Sequence, residues 1–133
     1  MKLNRRSRVA GRGRKGRAQA MDWPRVRIRL DIAPACAVGP GKIALLEAVG
    51  KAGSLSVAAR ELGMSYRRAW MLLDDLNTAF EEPMATTAVG GMRGGGATVT
   101  ARGHELIREF RALERAVTRL AARQMRNFRE RAA

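Results

Sequence analysis

Residues 55–77 read LSVAARELGMSYRRAWMLLDDLN, and the two apolar-periodic segments that meet here at one glycine decide how the rest of the chain is read. Ser54 or Ser56 is placed to cap a first helix running to Leu62. Gly63 supplies a left-handed turn that a side chain would resist. Ser65 caps a second helix that continues to about Phe80, and Pro83 forbids further extension. Ala59 is small where two helices must approach closely. Ala58 and Leu62 are expected to face a core from the first helix, and Ala69, Leu72, Leu73 and Leu76 from the second. This is the spacing of a helix-turn-helix. A generic pair of helices with polar outer faces is the competing reading.

In the helix-turn-helix reading, Ser65, Tyr66, Arg67 and Arg68 face outward at the start of the second helix. That end of a recognition helix meets base edges in the major groove of double-stranded DNA. Arginine can make two hydrogen bonds to guanine, serine and tyrosine can bond phosphate, and a helix N-terminus attracts phosphate. Trp70 lies one turn after Tyr66 and is expected to be partly buried against the first or last helix. Asp74 and Asp75 sit too far along the helix to approach phosphate.

Downstream, residues 84–89 and 97–100 read as two short strands joined by Gly90-Gly91-Met92-Arg93-Gly94-Gly95-Gly96. A hairpin in this place would be a wing. Its Arg93, Gly94 and Gly95 would bring a charge and free backbone N–H groups to phosphate. The glycine run lacks the GxxxxGK[ST] order and does not lead from a buried strand into a helix, which argues against a nucleotide-binding loop.

Thr100 then caps a last long helix, from about Ala101 to near Phe128. Leu106, Phe110, Leu113, Val117 and Leu120 recur along it at heptad spacing, widened by Ile107 and Met125. The pattern predicts a homodimer interface, with packing along the chain's own domain as the alternative. Arg108, Arg111, Arg115 and Arg119 form a basic stripe read as a solvated face.

Upstream, a helix over residues 41–52 turns Ile43, Leu45, Leu46 and Val49 inward and ends at Gly53. Val26, Ile28, Leu30 and Ile32 alternate with Arg25, Arg27, Arg29 and Asp31, which predicts one strand with one apolar face. Pro34, Gly39 and Pro40 break the chain after it. Residues 1–20 hold eight of the 26 lysines and arginines, no acid and three glycines, and read as a disordered basic tail. Such a tail is either a DNA-grasping arm or a solvated segment of non-specific affinity. Met1 and Met21 both fit as the natural start.

The expected organisation is therefore a basic tail over residues 1–21, a winged helix-turn-helix over 22–100 and a dimerisation helix over 101–133. The fold class is mainly α with a small β wing. The formal net charge of +14 calls for an anionic partner, most commonly nucleic acid, and from Met21 onward the surplus is still +6. Cys36 stands alone, which excludes an intrachain disulfide and fits a cytoplasmic, nucleoid-associated protein. No apolar run approaches the ~20 residues of a membrane span, so no membrane partner is expected. With His104 the only histidine and Cys36 the only cysteine, neither a metal cluster nor a histidine-based triad assembles within one chain. No enzyme activity and no cofactor are expected.

The run GPGKIALLEAVGKAGSLSVAARELGMSYRRAWMLLDDLN resembles the DNA-binding half of ModE-type molybdate-responsive regulators. So does GGMRGGGATVTARGHELI, a Gly-rich wing followed by a T-x-x-G helix start. Both look, more loosely, like the LysR-type winged domain. The resemblance covers roughly residues 26–125. It implies an operator-binding dimer of winged domains, with contacts from Ser65, Tyr66, Arg67 and the wing glycines. Members with a sensor carry a further C-terminal oxyanion-binding region, whereas this sequence ends at Ala133. The expectation is that residues 1–133 alone do not bind molybdate, either as a constitutive binder or with the sensor on a separate protein. Sequence-specific regulation is the leading functional reading. A nucleoid-type architectural protein that coats DNA without sequence choice is the alternative.

Overall fold

The computed structural model describes residues 24–88 and 96–131. Their order is β1 (Leu30–Ala33), β2 (Cys36–Val38), α1 (Pro40–Ala52), α2 (Leu55–Glu61), α3 (Tyr66–Ala79), β3 (Ala85–Thr87), β4 (Ala97–Val99), α4 (Ala101–Gln124) and α5 (Arg126–Arg131). The architecture is mainly helical, with two separate two-stranded antiparallel sheets, β1–β2 and β3–β4. The basic tail and the wing residues Arg93, Gly94 and Gly95 lie outside the described residues, as does Val89.

Helix α1 is the hub. Pro40 opens it with a preset backbone angle and no N–H to leave unpaired. Gly53 ends it at φ 65, donating its N–H back to Val49. Ile43, Leu45, Leu46 and Val49 are buried, as their spacing predicts. They pack against α2, α3, β2 and β4.

The α2–α3 pair follows from local chemistry. The Ser54 hydroxyl accepts the Val57 N–H, and the Ser65 hydroxyl accepts the Arg68 N–H at 3.1 Å. Between them Gly63 adopts φ 67, a region that disfavours any side chain. Ala58, Ala59, Ala69, Leu73 and Leu76 are buried, and Leu72 packs at the core's edge. Leu62 departs from expectation. It is exposed, because α2 ends at Glu61 and Leu62 leaves the helical face as its cap.

The N-terminal strand also differs. Val26, Ile28 and Leu30 do alternate with exposed arginines, but the assigned strand begins at Leu30 and Ile32 is exposed. Pro34 does not end the sheet structure. It sits in the turn of a hairpin whose return strand is β2, with Leu30 opposite Val38 and Asp31 opposite Ala37. An irregularity between Asp31 and Ala33 shifts the register, so the simple alternation fails at Ile32.

The long C-terminal helix is interrupted once. Met125 leaves the helical path, and the Phe128 N–H closes a tightened bond to its carbonyl before α5 begins. Residues 27–115 form one compact unit, and the described residues of a second unit are 24–26 and 116–131. Among the described residues, every buried hydrophobic one belongs to the first, which takes in α4 as far as Arg115 because Leu106, Ile107 and Phe110 join its core. In the second, Leu120, Met125 and Phe128 are exposed.

Candidate nucleic-acid interface

Four of the residues singled out by sequence meet at the start of α3. Ser65 is its N-cap, and Tyr66, Arg67 and Arg68 follow as exposed residues of the first turn. The Ser65 hydroxyl accepts one orphan N–H and keeps its own proton free to donate to an oxygen outside. No acidic residue lies in this first turn. Neither Arg67 nor Arg68 has an ion-pair partner among the described residues. The unpaired N–H groups of the turn, the positive end of the helix dipole and two guanidinium groups therefore coincide.

The other end of α3 has the opposite sign. Asp74 and Asp75 are exposed, and Asp75 reaches Lys42 at 3.9 Å. Lys42 in turn donates to the Ala37 carbonyl at 2.7 Å, so its charge belongs to the β2–α1 corner. An anion approaching α3 is attracted at Arg67 and repelled two turns later.

Trp70 is only partly buried. It is 48% exposed and lines a shallow cleft of about 350 Å³ with Asp74, Asn77, Thr86 and Thr87. Thr86 and Thr87 belong to β3, so this side of α3 faces the hairpin. Met71, one residue on, is 53% exposed.

Asn77, which carries no motif in the sequence, holds the β3–β4 hairpin beside α3. The Asn77 amide donates to the Ala85 carbonyl at 2.9 Å, and its oxygen accepts the N–H of Met84 at 2.8 Å and of Ala85 at 3.3 Å. This fixes the first residue of β3 to the end of the helix. On the other side, the Ala97 N–H of β4 donates to the Gly53 carbonyl at 3.0 Å, tying the hairpin to the end of α1. Thr100 donates to the Pro83 carbonyl at 2.7 Å and accepts the Gly103 N–H at 3.0 Å. A Cβ on Gly103 would overlap the Met84 carbonyl oxygen. The T-x-x-G pattern is thus a cap and a close approach in one. Its motif was visible in sequence, but its contact with a residue 19 positions earlier was not.

The expected seam on α4 divides. Phe110 is 2% exposed in the core of its own chain, with Leu106 packed beside it, so neither is free along its whole face for a second chain. Leu113 and Leu120 are exposed and Val117 is half-buried. Arg111 likewise is not part of a solvated stripe. It bonds Glu47 of α1 at 2.5 Å and Glu114 at 2.6 Å, and these carboxylates raise its already high pKa. Arg108, Arg115 and Arg119 are exposed.

No described helix is long and apolar enough to cross a membrane. Among the described residues, no group of three or more histidine, cysteine or carboxylate side chains is arranged to hold a metal ion. No family model matches the chain. Sequence relatives are clear, however. The chain is 45% identical over 92 residues to the molybdenum-pterin-binding protein MopA of Rhodobacter capsulatus, covering 69% of this chain and 35% of that protein. It is 43% identical over 83 residues to MopB of the same organism, 62% of this chain and 31% of that one. It is also 37% identical over 71 residues to the DNA-binding transcriptional dual regulator ModE of Escherichia coli K12, 53% and 27% of the two chains. The chain spans about a third of the length of the curated relatives it matches first.

Proposed function

We propose, on the premise that this chain carries a ModE-type region, that it is a sequence-specific DNA-binding transcription regulator built on a winged helix-turn-helix. The observation that carries the reading is the start of α3. Two arginines without ion-pair partners among the described residues and a capped, acid-free helix N-terminus form an exposed basic edge on a helix whose inner face is packed in the core. Such an edge fits the major groove, where Arg67 addresses a base and Ser65 and Tyr66 address phosphate. Arg68 lies to the flank and adds charge toward the backbone.

The β3–β4 hairpin serves as the wing. Asn77 and Gly53 hold its base against the helices, and Arg93, Gly94 and Gly95 supply the phosphate contacts in this reading. Residues 22–100 constitute the DNA-binding part in this reading, residues 1–21 a basic arm and residues 101–133 the helical part through which two copies associate. Leu113, Val117 and Leu120 form the shared seam, with Leu106 and Phe110 supporting it from within each copy. The working place of such a protein is the cytoplasm, on the nucleoid.

Arg67→Ala tests base readout. Binding to the specific site should weaken by about 1–3 kcal/mol, with little change on random duplex DNA. Equal losses on both would reduce Arg67 to a phosphate contact and favour the architectural alternative, in which the protein coats DNA without sequence choice.

A further inference from the structure

Helix α3 exposes two large apolar side chains where a soluble surface would ordinarily carry polar ones. Met71 stands one turn beyond Arg67 on the outermost face of the helix, and Trp70 stands beside it toward β3. Both lie on the helix whose inner face is completed by Ala69, Leu73 and Leu76, so neither is needed by the core. Their position lies between Arg67 at the basic end and Asp74 on the acidic side.

We propose that Met71 and Trp70 form an apolar strip that reads thymine 5-methyl groups in the major groove, making them specificity-determining residues beside Arg67. The inference rests on the reading of α3 as the DNA-reading helix. The charge pattern selects this occupant. Arg67 and Arg68 bring the helix to a polyanion, and the acid at Asp74 ends the attractive stretch about two turns later. A groove-bound helix then sets Met71 and Trp70 over the base pairs that follow the one Arg67 addresses. In the major groove the thymine methyl is the one apolar group displayed by a base pair, and apolar side chains discriminate by covering it. The unbranched thioether of Met71 adapts to the exact height of that methyl, and the indole of Trp70 offers a broad flat face.

The test starts by selecting duplexes from a randomised library with the full chain, then replaces each thymine of the selected site by uracil. This removes the methyl group and leaves pairing intact. The expected result is about fourfold weaker binding at one or more positions, the loss that a single buried methyl group implies. That loss should vanish with Met71→Ala or Trp70→Ala, whose affinity for the thymine site falls to the level of the uracil site. Both positions are exposed, and Met71→Gln, which keeps length but not apolarity, should give the same outcome as Met71→Ala. Selected duplexes that bind equally with thymine and uracil would overturn the methyl readout while leaving DNA recognition by α3 intact. So would uracil losses that persist unchanged in all three variants. A library from which no duplex is retained would overturn the DNA-reading assignment itself. Loss of self-association in Met71→Ala with unchanged response to uracil would assign the strip to a second copy of the chain.

Discussion

Helix α4 carries one apolar pattern with two fates. In its first half Leu106, Ile107 and Phe110 close the core of residues 27–115, and Phe110 is 2% exposed. Further on the same spacing continues through Leu113, Val117 and Leu120, yet Leu113 is 38% and Leu120 46% exposed. Periodicity reports which face of a helix is apolar. It does not report what covers that face, since an intrachain core and a partner helix ask for the same residues at the same spacing. The dividing feature is a contact distant in sequence: Arg111 joins Glu47 of α1 with two hydrogen bonds and marks where α4 stops adding to the core.

The division can be broken by mutation, and the largest effect belongs to the first half. Phe110→Ala should lower the unfolding free energy by about 3–5 kcal/mol, because it opens a cavity among packed side chains. Leu120→Ala should change the stability of the dilute chain by no more than about 0.5 kcal/mol. Urea unfolding of the two variants compares them directly, and equal losses would erase the distinction between the halves.

The second half should matter for association instead. Leu113→Glu combined with Leu120→Glu is expected to keep the helical circular dichroism of the parent and sediment as a monomer. It should also bind a two-half-site duplex at least about a hundredfold more weakly, since two linked half-sites gain that much from simultaneous engagement. A parent chain that is already monomeric at micromolar concentration would remove this role. A small effect is expected at the boundary. Arg111→Ala should cost about 1 kcal/mol in unfolding free energy, for a bidentate pair that is still partly solvated. An effect below detection would show that α4 is held to α1 by Leu106, Ile107 and Phe110 alone.

Much of the fold was legible because its decisive elements are local. Gly53 and Gly63 take positive φ, Ser54 and Ser65 cap the helices they precede, and Ile43 to Val49 show their inner face by spacing. The basic edge at Arg67 and Arg68 was legible for the same reason, since a helix start and an apolar inner face leave only one outward direction. What could not be read depends on partners far away in sequence. Leu62 and Ile32 were assigned inward by periodicity, and a helix end and a β irregularity turned them out. Asn77 looks like an ordinary residue of a helix end, and the T-x-x-G motif shows Gly103 but not its neighbour, although the two residues meet the hairpin at Met84 and Ala85. Trp70 was expected to be partly buried against the first or last helix, and the cleft it lines with Thr86 and Thr87 of β3 depends on residues distant in sequence.

The central claim is that this chain recognises particular DNA sequences through the start of α3. A genome-wide map of DNA occupancy, made with the full chain and with Arg67→Ala in parallel, tests it most directly. The account predicts discrete peaks sharing a two-fold symmetric sequence in the first map and their loss in the second. Uniform coverage in both maps would contradict it.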